Sequence, residues 1–238
     1  FFAKAGDEIY RFQIPVSREL YCPGDVFIKN SQPVTLAQDE EHIRVSAGKF
    51  EAVYNKKNGA FDQVVKDGIK LLEGGREEFY RAMTGIDEGT RETDPTRNYK
   101  SYWASLGIDR LEKHVESIQA YAAGNQVIIE ENAGFYPKTG DDLGQEPVIC
   151  TSTRYFVGCD GIEIMCQVIN QSGAQTIPRI GRVFKLGREF NQVTWYGRGP
   201  WENYSDRKDS ALVGKYTDTT DHMHAHFPVP CECGGHED

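Results

Sequence analysis

Apolar and polar residues alternate with a period of two along most of this chain, and Gly, Asn or Asp pairs interrupt the alternation at short intervals. The clearest case runs from Phe50 to Leu72. Phe50, Ala52 and Tyr54 alternate with polar positions, Asn58-Gly59 supplies a tight turn, and Phe61 to Val65 returns. The Asn-Gly pair predicts a type I′ turn with Gly59 at positive φ. Asp67-Gly68 makes a second turn before Ile69 to Leu72. Further on, strands are predicted on either side of Gly124-Asn125 and of Asp160-Gly161, with Ile162, Ile164, Cys166 and Val168 on one face. "TIPRIGRVFKL" and "FNQVTWYG" continue the series.

Two stretches break the pattern. From Gly74 to Arg97 it dissolves into charges and glycines, which predicts a long irregular excursion of the kind that is usually functional or interfacial. Tyr99, Trp103 and Leu106 then recur at helical spacing, and Gly107 can end the helix, so one short helix is predicted there. At the other end, Ile9 to Val16 alternates, stops at Pro15 and has no local hairpin partner. It reads as a lone strand followed by a mixed, polar linker. The whole predicts an all-β fold, an antiparallel β-sandwich.

Composition narrows the function classes. With 238 residues, 39% hydrophobic and 26% charged, the chain can bury a sizeable core. A formal net charge of −9 disfavours polyanions, so nucleic acid is not an expected partner. No apolar run approaches the ~18 residues of a membrane helix, so no membrane partner is expected. The sequence opens at Phe1 without a basic leader or an apolar signal core, and is expected to be a piece of a longer protein. Six cysteines are too sparse for a disulfide scaffold; Cys22, Cys150, Cys159 and Cys166 are expected as buried, reduced thiols.

Candidate chemistry is thin. Glu202 and Asp206 lie in "WYGRGPWENYSDRKDS" and either face a ligand or pin a turn through Arg198 and Arg207. The second reading is favoured, because charged pairs in structured loops are more often architectural. His222, His224 and His226 alternate, and Cys231, Cys233 and His236 follow. In a strand, though, alternate residues stand about 6.6 Å apart, too far to share one small ion, so no metal site is assigned. No nucleophile elbow, dinucleotide fingerprint or P-loop is present.

The same stretch carries a resemblance. Trp195, Gly197, Gly199, Pro200, Glu202, Asn203, Tyr204, Asp206 and Arg207 match W-x-G-x-G-P-x-E-N-Y-x-D-R, the signature of the C-terminal small-chain domain of the bacterial family-two β-galactosidases. "FEAVYNKKNGAFDQVVKDGIKLL" resembles that domain's opening hairpin. "EFYRAMTGIDEG" is similar to the family's W-R-A-P-T-D-N-D loop, and Arg81 and Asp87 are its possible pocket-lining residues. "PCECGGHED" resembles its P-x-E-N-G turn, with Cys233 in place of the Asn.

The resemblance implies a galactose-mutarotase-like supersandwich over residues 36–238, preceded over residues 1–35 by the last strand of an immunoglobulin-like domain and a linker. It implies a parent that hydrolyses terminal β-galactosides with retention, a catalytic barrel elsewhere in that parent, and a homo-oligomer. It also implies parental use of Mg²⁺ and a monovalent cation, with no catalytic residue and no cofactor in this chain. In the family an aromatic residue near the domain's C-terminus reaches the sugar pocket; Trp103, Trp195 and Trp201 are not given that role. Two rival readings belong to other classes. An independent carbohydrate-binding module needs an exposed aromatic platform. A mutarotase-like epimerase needs a histidine and a carboxylate converging in a concave face, for which His114 and the C-terminal histidines are the candidates.

Overall fold

The computed structural model describes residues 30–83, 98–140, 142–204 and 207–224, together with 10–14 and the single positions 4, 6, 8, 87 and 235. The chain divides into two compact units, Val26–Gly187 on one hand and Phe1–Asp25 with Arg188–Asp238 on the other. Among the described residues no helix is long and apolar enough to cross a membrane.

The first unit is the antiparallel sandwich. One sheet has six strands in the order β1 (Thr35–Gln38), β2 (His42–Ala47), β3 (Phe50–Asn55), β4 (Ala60–Lys66), β5 (Ile69–Glu78) and, from far along the chain, β11 (Gly181–Lys185). The second sheet runs β10 (Gly161–Asn170), β9 (Ile149–Gly158), β7 (Gln126–Thr139), β6 (Leu111–Ala123), with β8 (Asp142–Leu143) paired to the end of β7. The inward residues meet face to face. Ile43, Val45, Phe50, Ala52, Tyr54, Phe61 and Val64 from one sheet pack against Val127, Ile129, Tyr155 and Val157 from the other. The period-two pattern of the sequence is therefore the pattern of this core.

One turn differs from expectation. The β3–β4 connection is a four-residue loop, since Asn55 pairs with Ala60. The Gly59 N–H donates to Asn55 O at 3.0 Å, and Gly59 has φ +62° while Asn58 does not take a positive φ. The Asn55 side chain claims the backbone N–H groups of Lys57 and Asn58, which holds the loop open. The type I′ geometry falls at Asp67-Gly68 instead, where φ is +52° and +78°.

The predicted excursion also begins later than residue 74. β5 continues through Gly74 and Gly75 to Glu78, because β11 pairs with it over Gly181–Lys185. Both glycines have positive φ, and a Cβ on Gly74 would lie 3.0 Å from Val183 O. Helix α1 (Tyr99–Ser105) is where the spacing predicted it, with Asn98 accepting from Ser101 N at 3.0 Å and Gly107 left-handed just beyond. A second, four-residue helix α2 (Thr220–Met223) belongs to the other unit and was not predicted. Of the thiols, Cys159 is buried and Cys150 half-buried; Cys166 is exposed, because β10 is an edge strand.

Inside the sandwich lies a buried charge network. Lys113 Nζ on β6 donates to Glu131 Oε1 on β7 at 2.7 Å, to Glu77 Oε2 on β5 at 2.9 Å and to Gly59 O at 2.9 Å. Arg182 on β11 donates to Glu77 Oε1 at 2.6 Å, to Thr153 Oγ1 at 3.0 Å, to Tyr155 Oη at 2.9 Å and to Gly75 O at 2.7 Å. Tyr54 Oη donates to Glu131 Oε2 at 2.7 Å and lies 3.2 Å from Tyr155 Oη. Burial pushes the Glu131 carboxyl above its ordinary range, and Lys113 and the Tyr54 hydroxyl oppose it. Burial also raises the Tyr54 and Tyr155 phenols, which keeps both as neutral hydrogen-bonding groups.

Two experiments follow from this packing. A Cβ at Gly59 would lie 2.2 Å from Glu131 Oε2 and 2.5 Å from Lys113 Nζ, whereas one at Gly68 meets nothing within 4 Å. Gly59→Ala is therefore expected to destabilise by more than about 2 kcal/mol and Gly68→Ala by about 1 kcal/mol. Equal midpoints in denaturant titration would contradict the role given to the network. Lys113→Met strands buried carboxylate charge and is expected to cost about 3–5 kcal/mol, while adding Glu131→Leu restores charge balance and recovers much of it. Simple additivity of the two losses in the double variant would count against the pairing.

Candidate functional site

The motif region of the second unit is a β-hairpin, β12 (Gln192–Gly199) with β13 (Leu212–Thr219), and the loop between them. Trp195 turns its indole back on the same strand and donates Nε1–H to Arg198 O at 2.9 Å. Gly199 sits under two rings: a Cβ there would lie 2.6 Å from Tyr216 Cδ2 and 3.0 Å from Trp195 Cζ2. Only a glycine lets the aromatic pair close over the strand at this point. The Gly199-Pro200 peptide is cis. Arg198 reaches across the loop and donates to Ala211 O at 3.0 Å, a residue with no exposed surface.

Glu202 binds Arg207 and Tyr204 at once. Its Oε1 accepts from Arg207 at 2.8 Å and its Oε2 from the Tyr204 hydroxyl at 3.2 Å, while the Arg207 guanidinium lies 5.5 Å from the Tyr204 ring centre. Tyr204 and Arg207 also exchange backbone hydrogen bonds. Of the two carboxylates singled out in the sequence, Glu202 is thus the clamp; Asp206 lies outside the described residues. The loop also receives a distant segment. Asn203, fully buried, donates its backbone N–H to Gly235 O at 2.8 Å, and a Cβ at Gly235 would lie 2.6 Å from Tyr204 Cε1. Gly235, from the stretch "PCECGGHED", and the Trp195–Arg207 motif, two separate matches in the sequence, meet here. Trp201 is exposed and Gly197 buried.

In the sandwich unit, Arg81 and Asp87 come together as a two-pronged pair at 2.6 and 3.2 Å, and Arg81 Nε donates to Pro178 O at 3.0 Å. Trp103 is buried and donates to Thr176 O at 2.9 Å. His114 stands on the surface of β6, 3.5 Å from Glu112 and edge-on to Tyr136. His222 pairs with Asp218 at 2.7 Å; His226, Cys231, Cys233 and His236 lie outside the described residues. Tyr10 to Ile14, in the segment expected as a lone strand, carries no ladder among the described residues. Instead the Gln13 carboxamide takes both the N–H and the C=O of Val213 on β13, at 2.6 and 2.7 Å.

The described residues bury three carboxylates, Glu77, Asp87 and Glu131. All six of their oxygens are held by lysine, arginine or tyrosine groups of the chain itself. Each of the three is thus engaged by ion pairs or hydrogen bonds within the chain. Among the described residues no three His, Cys, Asp or Glu side chains converge as a metal cage, so the cations implied by the resemblance find no ligand set there. Sequence reasoning missed Glu77, Glu131, Lys113 and Arg182. A signal existed for two of them: Lys113 and Glu131 fall at the same strand parity as the apolar Leu111, Val115, Ile129 and Ala133.

An antiparallel sandwich with a charge network inside it, and a separate hairpin whose loop is held by Trp, Arg and Glu, are both all-β. The family described as "Beta galactosidase small chain" matches residues 46–238, and the chain belongs to that family. It is 31% identical over 202 residues to a β-galactosidase of Vibrio cholerae, an alignment that covers 83% of this chain and 19% of that protein. It is 27% identical over 239 residues to a β-galactosidase of Priestia megaterium, covering 100% of this chain and 21% of the relative. The chain thus spans about a fifth of the length of these curated relatives.

The clamp can be tested as structure. Arg198→Ala is expected to cost about 1–2 kcal/mol, since Ala211 O loses its buried donor. Arg207→Ala, at an exposed position, is expected to cost less than about 1 kcal/mol. Thermal or denaturant midpoints measure both, and a larger loss for Arg207 than for Arg198 would reverse the assignment.

Proposed function

We propose that the protein to which this chain belongs is a retaining β-galactosidase that hydrolyses terminal, non-reducing β-D-galactosyl residues. The catalytic carboxylates lie elsewhere in that protein, and this chain forms a wall of the sugar pocket and contacts to the remainder of the polypeptide or to a second subunit. The carrying observation is that all three buried carboxylates among the described residues are consumed by internal bonds. Family membership and the names of the relatives support the substrate class. On this reading Arg81 and Asp87 brace the pocket-side loop, and residues 1–35 close a preceding immunoglobulin-like domain. Retention requires two carboxyl groups ~5–5.5 Å apart in the catalytic part, which this chain does not need to supply.

The test is direct. The isolated chain, incubated with a chromogenic β-galactoside, is expected to give no turnover above buffer, while the full-length protein turns it over with retention, read by NMR of the first-formed anomer. Hydrolysis by the isolated chain, or inversion by the full-length protein, overturns the reading. Glu202→Gln in the full-length protein is expected to leave kcat and KM per folded molecule nearly unchanged, as a framework residue should.

A further inference from the structure

The two sheets of the sandwich unit end, among the described residues, in four edge strands: β1, β11, β6 and β10. A free edge offers unpaired N–H and C=O groups to any other strand, and stable proteins blunt it with short length, charge or a bulge. Three of these edges are blunted in that way. β1 is four residues long. β11 is five residues long, shifts register between Val183 and Phe184, and carries Arg182 and Lys185. β6 is longer, yet it has a bulge between Val115 and Ser117 and carries Glu112, Lys113, His114 and Glu116.

β10 has none of these protections. Its ten residues pair with β9 in one unbroken register, from Gly161 opposite Gly158 to Asn170 opposite Ile149. Its one charge, Glu163, stands near one end, and it holds no proline. Both of its faces carry apolar side chains that are incompletely covered. On the outer face Met165 is 57% and Ile169 47% exposed. On the inner face Ile162, Ile164 and Val168 are half-buried and Cys166 is exposed. Their cross-strand neighbours on β9, Val157, Tyr155, Thr151 and Thr153, are all buried. The sandwich thus loses its cover within the width of one strand. The ion network lies directly behind this margin: Thr153 Oγ1, which accepts from Arg182 at 3.0 Å, is 3.3 Å from Cys166 Sγ.

We propose that β10 is an interaction edge whose occupant is an extended segment of the same polypeptide from outside residues 1–238, added antiparallel to β10 and continued by chain that covers the underside. The inference rests on the reading of this chain as part of a longer protein. Three observations select that occupant. The chain spans about a fifth of the length of its curated relatives, so most of each relative lies outside the matched part. A second copy joined edge to edge would lengthen the sheet but leave Ile162, Ile164, Cys166 and Val168 as bare beneath as before, because its own β10 is bare at the same places. Every strand pair of this sheet is antiparallel, and an added strand continues that order. The incoming strand sets apolar residues beside Ile162, Ile164 and Val168 and a basic or neutral residue beside Glu163. Its main chain takes up the free backbone groups of β10, and the cover it brings shields the end of the ion network at Thr153 and Arg182 from water.

The experiment uses the full-length protein with its native residues. Under native conditions iodoacetamide is expected to alkylate Cys166 at least about a hundredfold more slowly than in urea, and the amides of residues 161–170 are expected to exchange slowly along the whole strand. A photoreactive methionine analogue, incorporated biosynthetically, then identifies what lies beside Met165. Mass spectrometry is expected to find the Met165 peptide cross-linked to a peptide of the same polypeptide outside residues 1–238, in the band of single-chain mass on a denaturing gel. Alkylation of Cys166 at the unfolded rate, or rapid amide exchange in β10, overturns the proposal. So do Met165 cross-links that run only within residues 1–238 or that join two chains, and so does protection of Cys166 that is lost when the protein is diluted to single chains, since a second subunit then covers the edge. Turnover of a chromogenic β-galactoside is read on the same sample. An inactive protein with Cys166 protected and Met165 cross-linked as expected defeats the galactosidase reading alone, whereas an active one with Cys166 freely reactive defeats this inference alone.

Discussion

The ion network between the two sheets is the constraint on which this structure turns. Lys113, Glu131, Glu77 and Arg182 come from β6, β7, β5 and β11, two strands from each sheet, and each bond among them fixes one strand against another. Charges removed from water are costly unless every partner is in place. The alternative registers of these strands are therefore penalised far more than a purely apolar core would penalise them. A one-residue slip of β6 would turn Lys113 outward and leave Glu77 and Glu131 with a single remaining cation, Arg182. Hydrophobic contact makes the two sheets adhere, and the network decides which residues face each other.

Details elsewhere follow from that demand. The β3–β4 loop ends in a glycine because its carbonyl serves as a ligand to Lys113 and its Cα lies against the Glu131 carboxylate. The paired glycines of β5 let β11 approach closely, which delivers Arg182 to Glu77. Tyr54 and Tyr155 are the aromatic members of the core that carry hydroxyls, and both hydroxyls enter the network. The hairpin of the second unit repeats the idea on a smaller scale: a glycine admits two rings, and Arg198 and Glu202 tie down the loop that the glycine makes possible.

This economy bears on function. Each buried acid among the described residues is held by internal bonds, and the proposed division of labour in a longer glycoside hydrolase rests on that observation.

The sequence by itself determined most of the strands, several of the turns, the first helix and the family, while β1 falls in a stretch that reads as linker and β13 was not read as a strand. Phe50, Ala52, Tyr54 and the strands around Gly124-Asn125 were legible because period-two alternation reports burial on one face of a sheet directly. The thirteen-position motif was legible because its specified residues stand close together in sequence, and Glu202 meets Tyr204 and Arg207 within the motif itself. The extension of β5 was not legible, since its partner β11 lies about a hundred residues later and the intervening glycines read locally as a loop. Nor was the exposure of Cys166, which depends on β10 being an edge. The pairing of Lys113 with Glu77 and Glu131 was decided only by the tertiary structure. A charge at an apolar strand position shows that some partner must exist, but which partner depends on strands that meet only after the sheets have closed.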